Sequence, residues 1–220
     1  MLGLAVKTWS VVASVLLLAS IASAEDLAPD SLLKGVTAEV SALVKQSRGQ
    51  LILGRQSDTS ELVERKIVPL FDFGRMTQAA LGQYWPVATP AQRTALTAEF
   101  KTLLVRTYST VLGRYRDHVM KFRPLSLAPG ATHATVNSVV SQPGSAGTPV
   151  DYDMEKTASG WKVYEIRFDG VKLIQNYRST FAARVQDVGI DGLIRALSDK
   201  NRQSTDSGAK ADPAAPANPG

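Results

Sequence analysis

The chain has 220 residues, 44% of them hydrophobic and 20% charged, with 25 Lys and Arg against 20 Asp and Glu and no cysteine. Those proportions are ordinary for a globular protein, and the missing cysteine excludes disulfides, thiolate metal sites and cysteine nucleophiles. His118 and His133 are the only histidines, too few for the usual histidine metal centres, and they argue against a catalytic triad.

Residues 1–24 read as a cleavable secretory signal. Lys7 is the only charge there, an apolar run extends from Trp9 to Ile21, and Ala22-Ser23-Ala24 is a small-x-small cleavage site. The run is shorter than the roughly 20 apolar residues needed to span a bilayer. Without cysteine there is no acylation site for a lipoprotein anchor. The expectation is export, cleavage after Ala24 and release into water. Setting aside a tail over residues 201–220, rich in Ser, Ala, Gly and Pro and expected to be disordered, leaves one domain over residues 25–200.

Cleavage would leave 24 basic residues against 20 acidic ones. The excess concentrates in Arg93, Lys101, Arg106, Arg114, Arg116, Lys121 and Arg123, interrupted only by Glu99 and Asp117. Such a run is either a solvated helix face or an attraction towards anionic headgroups or an acidic partner. Export argues against nucleic acid as that partner.

In chain order, Val36, Val40, Leu43 and Val44 recur at helical spacing and predict a helix over 30–48. A second helical stretch is expected over 59–68. Asp72 is placed to cap a short helix that Gly82 ends. Thr89-Pro90-Ala91-Gln92 is a capping box with proline in the first turn, and the stripe Leu96, Phe100, Leu103, Leu104, Thr107, Val111 and Tyr115 carries that helix to about residue 116. The period then changes to two. Strands are expected over 119–125, 132–141, 150–157 and 161–168, with tight turns at Ala158-Ser159-Gly160 and Asp169-Gly170. Val150, Tyr152 and Met154 alternate with Asp151, Asp153 and Glu155, predicting one buried and one wet face. A helix over 179–188 stops at Gly189, and Asp191 begins a last turn through Leu197.

Helices followed by an antiparallel meander make an α+β domain, a helical N-terminal half packed on a sheet. If that sheet is strongly curved and the helices cross its concave side, an apolar cavity is enclosed between the layers. No catalytic grouping stands out. The acids of the third strand fit a wet face better than a calcium loop. Ser138, Ser141 and Ser145 lack a nucleophile elbow, and Gly144-Ser145-Ala146-Gly147 lacks the strand-to-helix setting of a phosphate loop. These residues point to a binding protein without metal or cofactor rather than an enzyme.

Leu70-Phe71-Asp72-Phe73 precedes Leu81-Gly82-Gln83-Tyr84-Trp85, and the Gln92–Phe100 helix leads to Leu103-Leu104 and Thr107-Tyr108. In the second half come Val150-Asp151-Tyr152, Trp161-Lys162-Val163-Tyr164-Glu165, Gly170-Val171-Lys172-Leu173 and Asn176-Tyr177-Arg178-Ser179-Thr180-Phe181. In that order, residues 36–197 resemble the toluene-tolerance family of periplasmic phospholipid-binding proteins, the MlaC family. Two positions depart mildly from its pattern: Glu165 stands for the usual Asp, and Lys172 for the usual Ser.

The resemblance implies a nuclear-transport-factor-like α+β fold with an enlarged apolar lipid pocket. It also implies a periplasmic shuttle between the outer membrane, with its lipoprotein complex, and an inner-membrane ABC transporter complex. Elementary energetics suits such a role. A two-tailed phospholipid exposes on the order of 30 methylenes, each costing ~0.8 kcal/mol in water, so it cannot cross an aqueous space unaided.

Acyl chains are then expected against Phe73, Trp85, Phe100, Leu103, Leu104, Tyr108, Val139, Tyr152, Met154, Val163, Ile166, Tyr177 and Phe181. The same residues also suit a plain core. Arg178 either meets a headgroup phosphate or forms a salt bridge to Asp72 or Asp169. A carrier of a polycyclic lipid such as a hopanoid, a small apolar-substrate isomerase or dehydratase on the same fold, and a protein-binding adaptor are the competing readings.

Overall fold

In the computed structural model, the described residues are 27–46, 61, 63–114, 118–142, 144 and 146–206. The expected signal over 1–24 and the chain beyond residue 206 lie outside them. Helix α1 spans Pro29–Gln46, close to expectation. In its first turn Asp30 accepts a hydrogen bond from Lys34 Nζ at 2.7 Å, and this contact holds the carboxyl below its usual range.

Where a second helical stretch was expected over 59–68, the described residues are helical: residue 61, a π turn, Val63–Ile67, and a 3-10 turn, Val68–Leu70. Pro69 sits in that second turn and has no N–H to extend a helical ladder. The chain then straightens. Phe71 forms a parallel bridge to Val163, and Asp72 N–H donates to the Val163 carbonyl at 2.9 Å. One residue past the sheet edge, Asp72 Oδ1 accepts from Arg75 N–H at 2.8 Å and starts helix α2, Phe73–Leu81. Gly82, with φ 57°, ends it. A 3-10 turn over Gly82–Tyr84 leads on to α3, Pro90–Arg114. The capping box closes reciprocally, Gln92 N–H to Thr89 Oγ1 at 3.2 Å and Thr89 N–H to Gln92 Oε1 at 3.0 Å.

Five strands follow as an antiparallel meander in sequence order: β1 Val119–Phe122, β2 His133–Ser141, β3 Thr148–Thr157, β4 Gly160–Phe168 and β5 Val171–Lys172. β1 is shorter than expected; Pro124 has no N–H to give a ladder. Asp169 and Gly170 both take positive φ, 49° and 79°, which matches the twist of a two-residue hairpin.

Register sorts the side chains. Ala134, Met154 and Val163 stand in one row and Val136, Tyr152 and Ile166 in another, so one face is apolar. The opposite face is less wet than its alternation suggests. Asn137 Nδ2 donates to Asp151 at 2.8 Å, Thr135 Oγ1 to Asp153 at 2.7 Å, and Arg167 Nη2 pairs with Asp153 at 2.6 Å. A bulge in β4 interrupts the register beside Asp153 and Met154, leaving Tyr164 as the extra residue.

Helix α4 runs over Leu173–Asp206, longer than expected, and is broken at Gly189 with φ 72° and ψ 177°. Its second arm outlasts Leu197 because Asn201 is buried and its Nδ2 donates to the Glu99 carbonyl at 2.9 Å and carboxylate at 2.7 Å. Residues 201–206, expected in the disordered tail, are helical.

The layering differs from the expectation in one respect. Helices α2, α3 and α4 build a core of their own, including Met76, Leu96, Phe100, Ile174, Phe181 and Leu197. The apolar sheet face forms a second cluster with Leu33 of α1, and Leu32, Leu70, Leu125 and Leu127 pack around it. Phe71 touches both clusters. The fold is α+β, with an open sheet whose strand β4 carries the helical layer.

Candidate functional site

The helical cluster centres on three rings. Phe100 meets Tyr177 at 4.9 Å and Phe181 at 5.1 Å between centroids, both edge to face, and Tyr177 lies 5.7 Å from Phe181. Such arrangements add ~0.5–1.5 kcal/mol per pair beyond burial. Leu103 and Leu104 are buried beside them, and Phe73, Trp85 and Tyr108 pack on the rim. Each rim ring has a cation or a hydroxyl nearby. Arg93 sits 5.2 Å over Trp85 and donates to the Trp85 and Pro86 carbonyls, while Lys101 lies 6.0 Å from Phe73. Lys101 also pairs with Glu64 at 3.0 Å, and Arg106 donates to the Asn201 carbonyl. Part of the basic run therefore serves the fold.

Tyr177 is the one oddity of this cluster. It is 4% exposed, and its hydroxyl makes no hydrogen bond of ordinary geometry; the Tyr108 hydroxyl is its electrostatic neighbour. Burial pushes the Tyr177 phenol well above its usual range, and the Tyr108 phenol upward for the same reason. Both remain protonated donors at neutral pH.

On the sheet side Met154 and Val163 are fully buried and Tyr152 and Ile166 partly so. Burial raises the Tyr152 phenol to about 12, and its hydroxyl contacts Met120 Sδ at 3.7 Å. Of the residues nominated from sequence, eight fall in the helical cluster and four in the sheet cluster. Val139 joins neither. It pairs with Pro149 and shares the polar face with Asn137 and Thr135, one residue out of phase with Val136 and Val140. Its β-branched side chain resembled a core position, but the two-residue period puts it on the far side.

Glu165 is the site residue that composition alone does not single out. It is 6% exposed, and desolvation raises its pKa against the pull of three backbone donors. Its Oε1 accepts from Ile166 N–H at 3.0 Å and Ile174 N–H at 2.8 Å, and Oε2 from Gln175 N–H at 3.2 Å. The carboxylate is thus committed to the start of α4. The signal lay in the parity of β4: Trp161, Val163 and Glu165 share the buried phase, and an acid there needs internal donors.

Arg178 makes no salt bridge to Asp72 or Asp169, correcting one alternative. Asp72 is occupied as a helix cap, and the Arg178 side chain lies against Gly82, where an added Cβ would stand 2.6 Å from Nε. It borders a cleft of about 420 Å³ with Leu81, Gln83, Gln175, Ser179 and Ala182.

A five-stranded meander hooked to a helical layer, with two apolar clusters and its buried carboxylate used as a cap, defines an α+β domain. Residues 34–199 match the family model described as MlaC protein, and the chain belongs to that family. It is similar to the toluene tolerance protein Ttg2D of Pseudomonas putida, 24% identical over 164 residues that cover 74% of this chain and 75% of that one. It is also similar in structure to a phospholipid-binding protein of Ralstonia solanacearum solved in complex with a phospholipid. The TM-score is 0.72 at 34% identity, covering 80% of this chain and 98% of that one.

Proposed function

We propose that the protein is a carrier that binds phospholipid by its acyl chains. In this reading it is exported to the periplasm, with cleavage after Ala24. It shuttles lipid between an outer-membrane lipoprotein complex and an inner-membrane ABC transporter complex, maintaining the lipid asymmetry of the outer membrane. The observation that carries it is the similarity, over nearly the whole length of the relative, to a protein solved with a phospholipid. The division of the interior adds support. Two apolar clusters that share Phe71 offer a seam along which chains can insert, exchanging one apolar surface for another.

The residues assigned to the chains are Phe73, Trp85, Phe100, Leu103, Leu104, Tyr108, Tyr177 and Phe181 on the helical side. On the sheet side they are Tyr152, Met154, Val163 and Ile166. Val139 is left out because it faces away. Met154 and the aromatic rings suit a surface that adapts to chains of varied shape. Transfer between an apolar pocket and a bilayer is nearly neutral in energy, so direction comes from nucleotide hydrolysis at the inner membrane.

The test is native purification from the periplasm of a Gram-negative host, followed by lipid extraction and mass spectrometry. Stoichiometric phospholipid is expected. Lipid-free protein that takes nothing up from phospholipid vesicles overturns the reading.

A further inference from the structure

We propose that the cleft between the end of α2 and the first arm of α4 is an oxyanion site, and that Arg178 in it holds the phosphate of a glycerophospholipid headgroup. This rests on the carrier reading above and adds to it where the headgroup lies and what selects it.

The cleft measures about 420 Å³, and its polar lining is the Arg178 guanidinium, the carboxamides of Gln83 and Gln175 and the Ser179 hydroxyl. No carboxylate lines it. A guanidinium presents five N–H donors in a planar fork that fits two phosphate oxygens at once, and the Gln83 and Gln175 amides add neutral donors beside it, while the Ser179 hydroxyl donates to the Asn176 carbonyl. The fork is free. Arg178 makes neither an ion pair nor a hydrogen bond with another described residue. The side chain is exposed and lies over the Gly82 turn, where an added Cβ would stand 2.6 and 3.1 Å from its Nε and Nη2. Gly82 has positive φ, which makes glycine doubly suited there.

The cleft also adjoins the apolar interior. Leu81 is a wall of the cleft and a buried member of the helical core. Tyr177, next to Arg178 on the same helix, points into that core and packs against Phe100 and Phe181. Successive helical residues diverge by about 100°, so Tyr177 and Arg178 serve two neighbouring compartments. One holds chains and the other an anion, separated by a single side-chain layer. A glycerophospholipid has that layout, whereas a diacylglycerol with the same chains lacks the phosphate and the alcohol it carries.

The experiment uses the full exported chain after delipidation. Phosphatidylglycerol and a diacylglycerol of identical chains are each offered from cyclodextrin complexes, and bound lipid is measured against cyclodextrin concentration. Wild type is expected to favour the phospholipid by about tenfold or more, the worth of one charge-assisted contact. Arg178→Ala should abolish that preference and leave diacylglycerol uptake unchanged, which also reports an intact fold. Arg178→Lys should keep part of it, since the charge remains and the fork does not.

A preference that survives Arg178→Ala overturns the proposal and leaves the carrier reading standing, as does equal uptake of both lipids by wild type. Inorganic phosphate is the third arm. If it perturbs the Arg178 side-chain resonance while the lipid preference ignores the substitution, the cleft holds free phosphate and the headgroup assignment fails. Uptake of neither lipid by wild type overturns the carrier reading and this proposal together.

Discussion

Replacing Tyr177 by phenylalanine removes one oxygen and little else, since the ring keeps its edge contacts to Phe100 and Phe181. That oxygen sits on a residue 4% exposed, with the Tyr108 hydroxyl as its polar neighbour but outside ordinary hydrogen-bond geometry. A buried hydroxyl in that state costs ~1–3 kcal/mol in lost solvation. Tyr177→Phe should therefore stabilise the delipidated protein by ~1–2 kcal/mol, with an unchanged denaturant slope. In a domain of this size each kcal/mol corresponds to about 2–4 °C in the midpoint. Urea unfolding followed by far-UV circular dichroism measures it. Tyr108→Phe and the double variant complete a cycle, and the coupling between the hydroxyls should stay below ~0.5 kcal/mol. A loss of stability in Tyr177→Phe, or a coupling of ~1 kcal/mol or more, would refute the reasoning by showing that the hydroxyl is satisfied.

Three further outcomes are expected. The Tyr152 phenol titrates near 10 when unfolded and at about 12 when folded, so the folded state keeps its proton longer and stability falls as pH rises between those values. The fall should be ~1.4 kcal/mol per pH unit from this residue, read as an unfolding midpoint against pH, and Tyr152→Phe should remove that contribution; an unaltered slope contradicts it. Gly189→Ala meets no atom within 4 Å, but it forces a side chain onto φ 72° and ψ 177°. Thermal melts should show a loss of ~1–3 kcal/mol, and a neutral result would mean that the two arms of α4 straighten at little cost. Glu165→Ala leaves Ile174 N–H and Ile166 N–H without their acceptor. It should cost ~2–4 kcal/mol and accelerate amide exchange in the first turn of α4; exchange confined to its old rate there would show another acceptor.

Local signals in the sequence were read well where one residue type has one job. Asp72 and Gly82 bracket α2, Thr89 and Gln92 close their capping box, and Asp169-Gly170 makes the hairpin turn. Each depends on neighbours within four residues. What escaped depends on partners far along the chain. The second arm of α4 persists past Leu197 because Asn201 reaches Glu99, across 102 positions. Ile166, and not Glu165, joins Val163 on the apolar face because Tyr164 is a bulge residue beside Asp153 and Met154, and period counting cannot anticipate an inserted residue. Val139 was misplaced because hydrophobicity outweighed phase in a strand with valines at both parities. The aromatic and leucine positions of the helical cluster were legible through their 3.6-residue stripe. The Arg178 cleft was only half legible. The residue stood out, but its lack of an acidic partner follows from Asp72 being spent on a cap.

The Glu165 hook has a geometric consequence. It pins the first amides of α4 to strand β4, and Gly189 cuts that arm off at the other end. Between those two points the helix behaves as an indexed rod whose rotation about its own axis is set by the sheet. Inserting one residue between Lys172 and Tyr177 would advance the index by about 100°, turning Tyr177 outward and Arg178 away from Gly82. The chain length from sheet to aromatic ring is thus a dimension of the proposed binding surface, as fixed as any side chain within it.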